Sequence, residues 1–270
     1  MPELPEVEEA VRRLRRALEG RTIAAFRLLH PALRRRVSSA RARTLAGARV
    51  VGVERRGKHQ LVRFADGRVL HAHFRMNGDW WVGRDDEPAP PHARALISLD
   101  DGSRVALVDS RALATLALHD AGAEPALALG PEPSDPALDA AALERALAPR
   151  RGAIKPALLD QRVIAGLGNI YAAEALWRAR IDPFAPASSL SRRDLGRLLR
   201  AIRAVIRRAS GGRYRSSVVG GAGGTFAARP PRLDVYDREG EPCRRCRTPI
   251  ARAVQAGRST YYCPACQRPA

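Results

Sequence analysis

Three shortages stand out in the sequence, and each excludes something. No run approaches the roughly 20 consecutive apolar residues that a membrane-spanning helix needs. The N-terminus carries Glu3, Glu6, Glu8 and Glu9 where a signal peptide would have its apolar heart, so a cytoplasmic location is expected. Cysteine is confined to Cys243, Cys246, Cys263 and Cys266, all near the C-terminus, which argues against a disulfide-stapled secreted fold. Lysine is nearly absent: of 47 basic residues only Lys58 and Lys155 are lysines. Arginine cannot give up its proton near neutral pH, so an amine kept at either position suits chemistry that a guanidinium cannot perform.

What is abundant is positive charge. Against 28 acidic residues the basic set leaves +19, which makes a polyanion such as nucleic acid the expected partner; an arginine-rich proteome is the bland alternative. With 270 residues, 45% of them hydrophobic, the chain can bury one large core or two to three smaller ones.

The four cysteines read C-x2-C-x16-C-x2-C. Each close pair can present two thiolates to one ion, and the intervening stretch is long enough for a hairpin that brings the pairs together. One Zn2+ per chain is expected, structural because all four ligands are protein atoms.

The start, MPELPEVEEAVRRLRRALEG, reads as a helix opened by Pro5, with acids in its first turn, a stripe of Val7, Val11, Leu14 and Leu18, and Gly20 at its end. Residues 21–115 read as short strands with turns at Ala65-Asp66-Gly67 and Asp100-Asp101-Gly102, suggesting a β-sandwich or barrel. Asn77-Gly78 is also a hairpin signal and would put Met76 near a tip, as an exposed wedge or as a core filler. Beyond the Pro-rich 130–138 the pattern turns helical, at 139–148, 155–162, 170–180 and 192–209, with Ser191 and Asp194 opening the last. In AGLGNIYAAEALW, Asn169 is expected to cap a helix whose free amides could hold a phosphate or merely follow a connecting turn. Arg258 is expected at the tip of the hairpin between the cysteine pairs, and the Gly-rich 210–231 as a mobile loop.

Pro2 is the remaining oddity. Removal of Met1 would leave a secondary amine that titrates near 8, far below a lysine at about 10.4. Such an amine can attack an aldehyde-like carbon and form an iminium, and Glu3 beside it is placed to move protons.

Together PELPEVE, RRGKH, HFRMNG, DSR at 109–111, IKPALLDQRVIAGLGNIYAAEALW and the terminal cysteine pattern with GRSTYYC resemble the formamidopyrimidine-DNA glycosylase and endonuclease VIII family, nearly end to end and in order. The resemblance implies an α+β multidomain fold: an N-terminal β-sandwich with its flanking helix (1–133), a helix-two-turn-helix domain with linker (134–234) and a zinc finger (235–270), with DNA gripped between. It implies a monomeric bifunctional glycosylase and AP lyase acting on duplex DNA with damaged bases or abasic sites, nucleoid-associated through that DNA. Carried over by position, Pro2 is the nucleophile, Glu3 the acid/base, Lys58 an aid to strand cleavage and Arg258 a participant in the second elimination. Met76, His92, Arg111, Arg151, Lys155 and Asn169 fall at DNA-contacting positions. Leu113 departs from the family's aromatic residue, and 213–231 from its usual loop, which leaves the preferred lesion open. The alternatives are a zinc-finger DNA-binding protein and a damage sensor, both without catalysis.

Overall fold

Helix α1 (Leu4–Leu18) begins at the proline and the acids, as expected, and its stripe is fully used: Val7, Val11, Leu14 and Leu18 are at most 1% exposed. Burying each contributes about 2 kcal/mol. Gly20 follows with φ +80°, the left-handed conformation that glycine tolerates best. The computed structural model describes residues 2–210 and 232–268, and these fall into two compact units, 2–127 and, for the remainder, 128–210 with 232–268.

In the first unit the chain runs through β1 (Ile23–Leu28), a short α2 (Ser39–Arg43), β2 (Val50–Arg56), β3 (His59–Phe64), β4 (Val69–His73), β5 (Asp79–Arg84), β6 (Ala93–Leu99), β7 (Ser103–Val108) and β8 (Thr115–His119). Two antiparallel four-stranded sheets result, ordered β1-β6-β7-β5 and β2-β3-β4-β8. Their inward side chains, among them Phe26, Ile97, Leu107, Val53, Val62, Leu70 and Leu116, share one core with the α1 stripe. Across that core Trp80 Nε1 donates to Gln60 Oε1, a buried polar tie between the sheets. The turns after β3 and β6 carry Gly67 and Gly102 at positive φ, where hairpin reversals were expected.

Asn77-Gly78 behaves differently. β4 and β5 lie in different sheets, so the segment between them is a crossover and no hairpin forms. Gly78 is required there for space: a Cβ would stand 2.8 Å from the Phe74 backbone.

The second unit contains α3 (Ala140–Leu147), α4 (Ile154–Leu159), α5 (Asn169–Ala179), α6 (Arg192–Ser210) and the ribbon β9 (Ala251–Gln255) and β10 (Arg258–Tyr262). Asp139 caps α3 by accepting from Ala142 N, and Ser191 accepts from Asp194 N while donating to its carboxylate. α4 ends at Leu159, short of the expected Arg162, because Asp160 turns extended and its carboxylate takes the Arg162 amide. Glu174 of α5 is buried and accepts from the amides of Asp234, Val235 and Tyr236, fastening the segment that enters the finger. No described helix is long and apolar enough to cross a membrane. Apart from Ser210, the Gly-rich 210–231 lies outside the described residues.

Candidate active site and nucleic-acid interface

In the first unit, Pro2 and Glu3 sit at the head of α1, with Glu3 at the N-cap, only 1% exposed, its amide donating to Glu6 Oε2 at 2.8 Å. The helix that carries them is pinned along its length. Glu8 accepts from Arg55 Nε of β2 at 2.7 Å, and Arg13 binds Asp79 of β5 at 2.6 Å. Burial pushes the Glu8 carboxyl up, but the Arg55 and Arg12 guanidiniums outweigh it and hold it below its ordinary value. Lys58 is 8% exposed in the β2–β3 turn, after Gly57 at φ +58°. Arg55, which holds Glu8, also donates to Gly57 O at 3.0 Å, so one guanidinium braces both α1 and the Lys58 turn.

Three loops of this unit bring Met76, His92 and Arg111 into one neighbourhood. Asn77 donates to Ser110 Oγ at 3.2 Å, joining the Met76 loop to the Arg111 loop, and Asp109 N donates to His92 O at 3.1 Å. Met76 is 39% exposed and Leu113 44%, so both present apolar side chains to solvent. The device that shapes the Arg111 loop is Asp109, fully buried, whose carboxylate accepts from the amides of Arg111, Leu113 and Ala114 at 3.0, 2.6 and 2.7 Å. Arg94 adds a bond to Asp109 O. The sequence carried a faint signal for Asp109, an Asp-Ser turn former inside the DSR segment, but none for Arg94.

In the second unit Asn169 is the first residue of α5 and Gly168 is the N-cap, so the capping expectation is corrected. The Asn169 side chain points elsewhere: Nδ2 donates to Ser259 O at 3.0 Å, and Oδ1 accepts from Lys155 Nζ at 2.6 Å. Lys155 also reaches Ser259 O, at 3.1 Å, and is 1% exposed. The lysine therefore ties α4, α5 and β10 together. The α4–α5 turn is braced by Gln161, which accepts from Gly166 N and donates to Leu167 O. The hairpin expected between the cysteine pairs forms, but it turns through Ala256 (φ +47°) and Gly257 (φ +70°); Arg258 is exposed as the first residue of β10, paired with Gln255, and so flanks the tip where it was expected to form it. Arg151 is exposed next to Arg150, whose guanidinium binds Asp160 at 2.8 Å.

The Sγ atoms of Cys243, Cys246, Cys263 and Cys266 all lie within 4.8 Å of one another. Four thiolates at that spacing surround one tetrahedral ion and leave no open position, the arrangement of a structural zinc site. Trp177 Nε1 points at Cys243 Sγ, and Arg245 stacks 4.3 Å over the Trp177 ring, so α5 forms one wall of the finger.

Residues 1–116 match the formamidopyrimidine-DNA glycosylase N-terminal domain, 129–217 the H2TH domain of the same family, and 240–269 a zinc finger found in FPG and IleRS. The chain belongs to the formamidopyrimidine-DNA glycosylase family. The formamidopyrimidine-DNA glycosylase of Geobacillus kaustophilus is 43% identical, and that of Novosphingobium aromaticivorans 41%; each match spans 99% of this chain and 100% of the relative. The crystal structure of the MutM (Fpg) protein of Thermus thermophilus superimposes with a TM-score of 0.81 at 38% identity, covering 98% of both chains. Lactococcus lactis Fpg, crystallised with DNA containing an abasic site, gives 0.86 at 29% identity, over 99% of this chain and 100% of that one. Within this glycosylase family the four-cysteine finger and the fold stand as expected, with one zinc site per chain.

Proposed function

We propose that this chain is a bifunctional DNA glycosylase and AP lyase of base-excision repair, acting on duplexes with oxidised bases or abasic sites. What carries the reading is the pair Pro2-Glu3, held at the head of a pinned helix, in a chain that belongs to this family. Its site is in the cytoplasm, on the chromosome.

In this mechanism the Pro2 nitrogen, uncapped by loss of Met1, forms a bond to C1′ of the damaged nucleotide while the bond from C1′ to the base breaks. Glu3 supplies a proton as the sugar opens, leaving an iminium. The cation acidifies C2′; a proton leaves there, the C3′–O bond breaks and the 3′ phosphate departs. A second elimination releases the 5′ phosphate, and water then frees the amine. Lys58, buried beside the α1 anchor, assists the eliminations. Met76 fills the space vacated by the extruded nucleotide and Arg111 faces the unpaired partner base, with Leu113 as an aliphatic neighbour. His92 and Arg151 contact the DNA, and Asn169 and Arg258 bind phosphates, Arg258 also promoting the second elimination. Lys155, being buried, acts on DNA through Asn169 and Ser259. Zinc takes no part in the chemistry and holds the hairpin bearing Arg258. The three parts 1–133, 134–234 and 235–270 carry catalysis, backbone grip and finger respectively, and one chain holds every residue the scheme needs.

Borohydride trapping tests this. Reduction during incubation with an abasic or 8-oxoguanine duplex yields a covalent protein–DNA band, and Pro2→Gly abolishes it. No band on any lesion, with tight DNA binding retained, supports the non-catalytic alternative.

A further inference from the structure

Four of the six histidines stand on one face of the second sheet. Register puts them there: His59 pairs with His73, Leu61 with His71, and Val69 with His119. The alternate residues Val62, Leu70 and Ala72 enter the core beside α1, so the histidines face the other way. His59 and His71 are diagonal neighbours on adjacent strands, with ring centroids 5.0 Å apart and His59 Nδ1 only 2.7 Å from His71 Nε2. On the far side of His71 the His119 ring lies at 5.9 Å, and its Nε2 is buried with no hydrogen-bond partner among the described residues. His73 is committed elsewhere, its Nδ1 accepting from Arg75 N at 3.0 Å.

We propose that His59 and His71 form a two-imidazole chelate for a first-row transition-metal ion, Cu2+ above Ni2+ and Zn2+, distinct from the four-cysteine site. Two nitrogens bound cis to one ion at 2.0–2.1 Å stand about 2.9 Å apart, so the rings need to open by only a few tenths of an ångström. Converting the present hydrogen bond to a chelate needs one tautomer shift and no loss of either strand: each ring keeps its proton on the nitrogen that faces away. Water completes the coordination shell. Burial, with neighbouring charge, pushes both rings down to about 4, so they are neutral donors at pH 7.

The surroundings set the selectivity. Arg75 and Lys58 act on His59, and Arg36 and Arg75 on His71, so this face repels any cation held by charge alone. Ca2+ and Mg2+, which need anionic oxygens, are rejected, while imidazole coordination strengthens towards Cu2+ in the Irving–Williams order. An ion bound here stands one residue from Lys58 and clamps β3 to β4.

The test uses the zinc-loaded full chain. Cu2+ is titrated by calorimetry while retained zinc is assayed, and the copper environment is read by electron paramagnetic resonance. One equivalent of Cu2+ is expected beyond the retained zinc, with hyperfine structure from two nitrogens. His59→Gln and His71→Gln each weaken it by at least about tenfold, and His30→Gln leaves it unchanged. Should a variant melt early, Ni2+ protection of His59 and His71 against diethyl pyrocarbonate, mapped on wild-type protein, answers the same question. Copper taken up only as zinc leaves, a sulfur-ligand signal, binding that survives both substitutions, or unprotected rings would each overturn the proposal.

Discussion

The Lys155 amine donates to Asn169 Oδ1 at 2.6 Å, and both side chains converge on the carbonyl oxygen of Ser259. A buried ammonium thereby sets the orientation of the Asn169 amide and the position of the strand that begins with Arg258. Lys155→Met and Asn169→Ala are expected to weaken duplex binding by similar factors. The double variant should lose less than the sum, with a coupling of about 1 kcal/mol or more. Fluorescence anisotropy at fixed salt measures this, and additivity would mean that Lys155 does not act through Asn169.

Asp109 is the second buried charge whose work is positional. Asp109→Ala strips acceptors from three amides and should cost on the order of 3 kcal/mol in chemical denaturation. Discrimination of the base opposite the lesion should fall with it, because Arg111 and Leu113 lose their fixed presentation. Unchanged discrimination in a destabilised variant would separate the two roles.

Leu113 offers an aliphatic face where an aromatic one would stack on a base. Leu113→Phe is expected to tighten lesion-duplex binding by about threefold or more, and to sharpen opposite-base preference, since aromatic stacking adds about 1 kcal/mol. Comparing Kd across the four opposite bases checks it.

Stripping the ion from the four cysteines should unfold the ribbon of β9 and β10, at a cost on the order of 10 kcal/mol in the metal-dependent part. Scanning calorimetry is expected to show the transition of the second unit moving down while that of the first stays. Restored zinc should restore both the transition and DNA binding.

Glu8 gives a pH signature. Its folded-state pKa lies below the ordinary 4.5, so the unfolded chain binds the extra proton as pH falls. The contribution is whole above that value and fades as pH drops through the folded-state pKa. The melting-temperature gap between wild type and Glu8→Gln should therefore be widest near neutrality and close in acid.

Local chemistry explains what could be read from the chain alone. Pro5 and the α1 stripe announce a helix, the cysteine spacing announces a metal and a hairpin between the pairs, and these depend on neighbours a few residues apart or on ligand geometry. Motifs from Pro2 to Arg258 also placed the chain in its family. Asn77-Gly78 was misread because a turn dipeptide says that the chain bends, without saying which sheet receives the next strand. Asn169 was misread because the cap position depends on one residue of helix phase, and the pull on its side chain comes from Ser259, ninety residues away. The burial of Lys155 and of Asp109 and the meeting of His59 with His71 depend on packing and strand register. Those are set by how whole elements share a core, a long-range sum that no local stretch of sequence contains.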